Sequence, residues 1–163
     1  MTREKRFLVD AMMGKLARFL RIFGYDTIYA NDLEPIYDIK PMPDEKLLEI
    51  SIEQDRIIIT RDLPFHQMAP PDRTVYLNGK GVYNYLNQLK DKLGLSYNFH
   101  INQARCSTCN GMLIPVEDKT TLEDRVKETT LKFYDRFYRC QNCDKIFWRG
   151  SHIDKIIKKL KEK

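Results

Sequence analysis

The sequence predicts an α/β fold, a parallel sheet flanked by helices, followed by a small ribbon built on four cysteines. Three observations carry this expectation. Short β-branched runs alternate with amphipathic segments over the first half, three isoleucines stand together at 57–59, and every cysteine falls in the second half.

The elements follow in order. Phe7-Leu8-Val9 reads as a buried strand that ends at Asp10. Leu16, Phe19, Leu20 and Phe23 recur at i, i+3, i+4 and i+7, which predicts a helix with Lys15, Arg18 and Arg21 on its polar side and Gly24 as its stop. Thr27 to Tyr29 is a second strand. A Pro-rich loop from Glu34 to Pro43 then leads to Asp44, read as the N-cap of a helix over Glu45 to Gln54. Ile57-Ile58-Ile59 predicts a central strand covered on both faces. A short helical piece at 64–69, a strand at Thr74 to Leu77, and a helix carrying Val82, Leu86, Leu89 and Leu93 up to Gly94 complete this half. Strand and helix in alternation imply parallel pairing, and ligands of such sheets bind beyond the carboxyl ends of the strands.

The texture changes near Asn98 to Gln103, so the expected units are 1–97 and 98–163. The second unit closes on Ser151 to Lys163, where Ile153, Ile156, Ile157 and Leu160 keep helical spacing among lysines, with Ser151 and Asp154 as a capping box. The 163 residues hold 28 Lys and Arg against 23 Asp and Glu, and the net charge of +5 favours a polyanionic partner. No apolar stretch is long enough to span a bilayer, and none follows the charged start as a signal peptide would, so a cytoplasmic location is expected. Spread-out Gly and Pro leave little room for disorder or low complexity.

Cys106-Ser-Thr-Cys109 and Cys140-Gln-Asn-Cys143 are two C-x-x-C pairs. Four thiolates suit tetrahedral Zn²⁺, and a complete shell leaves no open position for water, so the expected zinc is structural. The competing readings are two disulfides or unrelated thiols, which a cytoplasmic location disfavours. The stretch between the pairs exceeds the roughly 15–20 residues of common two-knuckle sites, and an inserted, partly helical element between Thr121 and Phe137 would absorb the excess.

Asp10 ends the first strand, Asp62 follows the Ile strand in Thr60-Arg61-Asp62, and Asp44 opens the helix leading into that strand. All three fall at the predicted ligand edge, with Glu45 adjacent and Lys15, Arg18, Arg21 and Arg61 beside them. Converging carboxylates repel unless a hard cation neutralises them, which points to Mg²⁺ or Mn²⁺ and to phosphodiester hydrolysis. Each acid also has a plain alternative as a helix cap or turn residue.

The run Phe7-Leu8-Val9-Asp10 through Gly14-Lys15-Leu16-Ala17-Arg18-Phe19-Leu20-Arg21, then Gly24-Tyr25-Asp26, Asp44-Glu45-x-Leu47-Leu48 and Thr60-Arg61-Asp62, resembles the PIN-like ribonuclease domain of the mut-seven C-terminal type. Arg105-Cys106-x-x-Cys109-Asn110-Gly111, Cys140-x-x-Cys143 and Phe147-Trp148-x-Gly150-Ser151-His152 resemble that family's zinc ribbon. The resemblance implies a PIN-like fold and metal-dependent RNA cleavage, with Asp10, Asp44 and Asp62 at the family's acidic positions. Related domains often carry a further acid two residues after the T-x-D aspartate, where this chain has Pro64. The expected function is therefore an Mg²⁺- or Mn²⁺-dependent endoribonuclease. The alternatives are an RNA- or ribosome-binding adaptor too poor in ligands to cut, and a DNA nuclease or phosphatase on the same edge. Lys15, Arg18, Arg21 and Arg61, with Arg149 and His152 near the ribbon, are the expected RNA contacts. Alternation around Trp148 buries one of two aromatics, and Phe147 is the one assigned to the core.

Overall fold

A computed structural model describes residues 5–162. Lys163, at the end of the expected final helix, lies outside the described residues. The first half forms β1 (Arg6–Val9), α1 (Gly14–Ile22), β2 (Asp26–Tyr29), α2 (Glu34–Tyr37), α3 (Asp44–Glu53), β3 (Ile57–Thr60), α4 (Leu63–Met68), β4 (Thr74–Tyr76) and α5 (Val82–Leu93). The four strands pair in parallel in the order β2-β1-β3-β4. The expected α/β architecture is present, and the Ile strand is internal to the sheet.

Alternation along the strands divides the core in two. Phe7, Val9 and Ile59 face α1 and α5 in one apolar layer, whereas Leu8 and Ile58 face Leu47 and Ile50 of α3 and Phe65 of α4 in the other. The chain passes from β1 outward to β2, then back across to β3, so the direction of winding reverses between β1 and β3. That reversal opens a crevice at the carboxyl ends of exactly those strands that precede Asp10 and Asp62.

The second half is a three-stranded antiparallel sheet, β5 (Leu113–Val116), β6 (Phe137–Cys140) and β7 (Ile146–Phe147), with α6 (Glu128–Phe133) in the long connection. The inserted helical element falls where the spacing of the cysteine pairs requires it. Its core is small: Leu122, Val126, Leu131 and Phe137.

Several local expectations are corrected. Asp44 is the first residue of α3 and not its cap, because Pro43 holds extended backbone and its own carbonyl accepts from the Lys46 and Leu47 N–H groups. The last helix, α7 (Ser151–Lys161), is preceded by Gly150 and has no side-chain cap; Asp154 instead pairs with Arg149 at 3.2 Å. The apolar face of this helix packs on the first half of the chain. Ile156 is buried in the layer of α1 and α5, Ile157 and Leu160 pack against it, and Lys159 lies 5.0 Å over the ring of Tyr83. Trp148, not Phe147, packs against the ribbon core while staying partly exposed, 5.7 Å from Phe137 and 6.4 Å from Tyr134.

Arg21 is the largest correction. Helical spacing puts its side chain on the polar side of α1, but the residue is only 3% exposed. Its guanidinium donates to the carbonyls of Thr27 (2.9 Å), Ser107 (3.1 Å) and Thr108 (3.2 Å), and to Asp32 at 3.3 Å. It ties the ribbon to the sheet and is withdrawn from the RNA-contacting set. Gly24, just beyond α1, has φ +91°, and a Cβ there would lie 2.9 Å from the Gln103 carbonyl oxygen, so glycine lets the interdomain segment cross the helix end.

Candidate functional site

Three carboxylates lie at the carboxyl edge, near enough for the charges of Asp10 and Asp62 to act on Asp44. Asp10 leaves β1 with its own N–H bonded to the Ile59 carbonyl at 2.9 Å, which fixes it against β3. One carboxylate oxygen accepts from the Ala11 N–H (2.8 Å) and the other from the Thr60 hydroxyl (2.7 Å). The same hydroxyl accepts from the Asp62 N–H at 3.0 Å. Thr60, fully buried at the end of β3, therefore holds the two acidic segments in register. Asp62 is exposed and also caps α4, with Oδ1 accepting from the Phe65 N–H at 3.1 Å. Capping engages one of its oxygens and leaves the other.

Asp44 closes the group from α3. Partial burial, then the charges of Asp10, Asp62 and Glu45, raise its carboxyl above the ordinary value of 3.8. All four acids share one field, and no lysine or arginine offsets it strongly enough to reverse the shift. An oxygen-only donor set with unrelieved like charge suits a hard divalent cation. The side chains do not yet converge into a closed cage: among the described residues, the cysteines are the group whose donor atoms converge closely enough to hold an ion as they stand. Pro64 occupies the first turn of α4, where its missing N–H costs nothing. Beside the acids, Met12 carries φ 73° and is 87% exposed, a non-glycine residue in left-handed backbone one loop away from Asp10.

The expected basic contacts divide. Lys15 and Arg18 are exposed on α1, and Arg61 is exposed with its guanidinium 5.8 Å over the Tyr85 ring. Arg149 and His152 are exposed at the start of α7, far along the chain from the acids. His66 lies 3.4 Å from the Thr74 hydroxyl and has a structural setting.

The four cysteine Sγ atoms all lie within 4.8 Å of one another. Cys106 to Cys143 is 3.6 Å and Cys109 to Cys140 is 3.4 Å. These separations are too long for disulfides, at about 2.05 Å, and near the edge of about 3.8 Å for a tetrahedron with Zn–S of about 2.3 Å. The N–H groups of Asn142 and Cys143 point at Cys140 Sγ (3.3 and 3.4 Å), the knuckle arrangement that stabilises thiolate. Burial would raise the Cys109 thiol, but hydrogen bonds from the Asn142 side chain and the Gly111 N–H outweigh it and bring it to about 7. A Cβ at Gly111 would come within 2.6 Å of Cys140 Sγ and 3.2 Å of Cys109 Sγ, so glycine is needed where the thiols converge. The donor set and its spacing fit Zn²⁺.

The ribbon docks at the opposite end of the sheet from the acids. Asn110, directly after Cys109, accepts from the Thr27 N–H (3.0 Å) and donates to Asp26 (2.7 Å). Asp26 also receives Arg56 at 2.8 Å and lies 3.8 Å from Arg105. The local sequence pattern gives Asp26, Arg56 and Arg105 no role at this docking surface. The only local signal was Asn110 in a knuckle turn. Burial would raise the Asp26 carboxyl, but the Arg56 and Asn110 hydrogen bonds and the Arg56 and Arg105 charges hold it below the ordinary value of 3.8. A depressed native value stabilises the fold above the unfolded value and is lost as pH falls through the native one. Thermal melts are therefore expected to show Asp26→Asn less stable than the parent at neutral pH, with the gap closing below about pH 4; a gap independent of pH would show that the carboxylate charge is not what holds the ribbon.

No helix among the described residues is long and apolar enough to cross a membrane. Comparison with curated proteins and with solved structures found no match. A family model described as the Mut7-C RNAse domain matches residues 5–160, which include the whole of the parallel sheet, its acidic edge and the ribbon, and the chain belongs to that family.

Proposed function

We propose that this chain is a metal-dependent endoribonuclease that hydrolyses RNA phosphodiester bonds at the carboxyl edge of its parallel sheet. The observation that carries the reading is the Thr60 hydroxyl, which links Asp10 to the Asp62 backbone while Asp44 feels both charges. Asp10, Asp44 and Asp62, with Glu45 beside them, would hold Mg²⁺ or Mn²⁺, which supplies Lewis acidity for the scissile phosphate and its departing oxygen. The chain's own groups set the geometry. Thr60 and the Ala11 N–H fix the Asp10 carboxylate, and the Phe65 N–H fixes one oxygen of Asp62. Arg61, Lys15 and Arg18, all exposed, are placed to take flanking phosphates. The four cysteines would hold a structural zinc, and the ribbon, with Arg149 and His152, would add RNA contacts away from the acids.

The domain boundary belongs to this reading too. The units are best drawn as the sheet with α7 returned to it, and the ribbon between them, since Ile156 is buried in the sheet's own apolar layer.

Incubation of the zinc-loaded chain with labelled RNA and DNA of matched sequence, in Mg²⁺, in Mn²⁺ and with neither, tests the assignment. Internal cuts in RNA that require the added cation are expected. Tight RNA binding without cuts would establish the adaptor reading, favoured by the carboxylates' incomplete convergence and by Pro64; equal cutting of DNA would remove the RNA preference.

A further inference from the structure

Between α1, the segment at 99–104 and the ribbon runs an open groove of about 680 Å³. Five aromatic residues line it: Phe19 of α1, which is buried, and four partly buried ones, Phe99 from the interdomain segment, Tyr134 after α6, Phe147 from β7 and Trp148 after it. None of the four is fully buried, so ring surface remains available. Lys15 and Arg18 line the α1 wall, His152 the α7 end, and no aspartate or glutamate contributes to the lining. Cations already lie over two of the rings, Arg149 at 5.3 Å from the Phe99 centroid and Lys145 at 5.5 Å from that of Phe147.

Flat rings flanked by cations, with acids excluded, match the chemistry of an unpaired nucleic-acid strand: bases stack on aromatic faces and phosphates meet the cations. A duplex keeps its bases inside and has nothing to stack here. A folded acidic protein would satisfy the cations but would not use the rings. The groove also has a direction. α1 starts shortly after Asp10 and runs about 13 Å away from the acidic edge, with Lys15 in its first turn, so the groove leads from that edge toward the zinc site.

We propose that this groove binds single-stranded RNA by stacking its bases on Phe99, Phe147 and Trp148 while Lys15 and Arg18 hold its phosphates. The inference deepens the ribonuclease reading and rests on it for the class of polymer. It makes the enzyme one that selects unpaired RNA and threads it toward the carboxylates.

Trp148 is the chain's single tryptophan, so its emission reports on the groove directly. The zinc-loaded Asp10→Asn chain, used so that binding is read without turnover, is titrated with a short oligouridylate and with duplex RNA of equal length. Saturable quenching by the single strand is expected, with the duplex at least about tenfold weaker. Phe147→Ala is expected to weaken single-strand binding about tenfold. Arg18→Glu, at an exposed site that leaves folding intact, is expected to weaken it as well and to reduce the salt slope by about one. Single-strand binding that leaves Trp148 emission unchanged and is indifferent to Arg18→Glu would overturn the groove, even if the wild-type chain cuts RNA. Equal quenching by the duplex would overturn it too. Groove binding as expected, in a wild-type chain that cuts nothing in Mg²⁺ or Mn²⁺, would sink the nuclease reading and leave the groove standing.

Discussion

Asp10→Asn is expected to lower RNA cleavage about a thousandfold with zinc content and melting temperature nearly unchanged. The substitution keeps the side chain's size and one acceptor for the Ala11 N–H or the Thr60 hydroxyl, so the local backbone has no reason to move. It removes one of the negative charges that, after burial, raise Asp44, and with it much of the field that would hold a cation. A loss of about 4 kcal/mol of transition-state stabilisation corresponds to that thousandfold. Thr60 offers a finer test because it touches the acids and not the substrate. Thr60→Val removes the donor to Asp10 and the acceptor for the Asp62 N–H, and is expected to raise the Mn²⁺ concentration for half-maximal cleavage about tenfold, whereas Thr60→Ser restores it. Steady-state rates against Mn²⁺ decide both. An Asp10→Asn chain as active as its parent would place the chemistry elsewhere.

How much of this was readable in advance depended on whether the signal was local. Three adjacent isoleucines fit a strand covered on both faces, and Leu16, Phe19, Leu20 and Phe23 align on a helix, so the parallel sheet and the alternation of its strands with helices were legible. The placement of Asp10 and Asp62 at the carboxyl edge was legible because strand ends determine which edge a residue reaches. Arg21 was not. Helical spacing puts it on the polar side, but whether that side meets water or another part of the chain depends on Ser107 and Thr108, more than eighty residues away. The setting of Asp26 was hidden for the same reason, since nothing beside a charge at a strand start shows that Arg56 and Asn110 close over it. The amphipathic pattern of α7 showed that it would bury a face and said nothing about which partner would receive it.

Removing the zinc, by chelation or by Cys140→Ser, is expected to unfold the ribbon and to loosen the sheet domain at a distance. The ribbon's core of Leu122, Val126, Leu131 and Phe137 is too small to order so many residues by burial alone. Metal binding at such sites contributes on the order of 10 kcal/mol, and without it the antiparallel pairing of β5, β6 and β7 has little to hold it. The consequence travels because the first knuckle is also the docking surface. Asn110 takes φ 71° within that turn, and only in that conformation can its side chain bridge the Thr27 N–H and Asp26 while the Ser107 and Thr108 carbonyls meet Arg21. Loss of the turn leaves a buried guanidinium and a half-buried carboxylate short of partners, each costing roughly 1–3 kcal/mol. Elemental analysis is expected to show the zinc gone, and hydrogen exchange to show amides of 105–147 unprotected while those of Leu8 and Ile58 stay protected. The sheet domain's melting temperature is expected to fall by several degrees. Asn110→Ala separates the two effects: it is expected to retain zinc and the ribbon's protection yet lower the melting temperature of the sheet domain. A ribbon that stayed protected after its metal was removed would show that the four thiols are not what folds it.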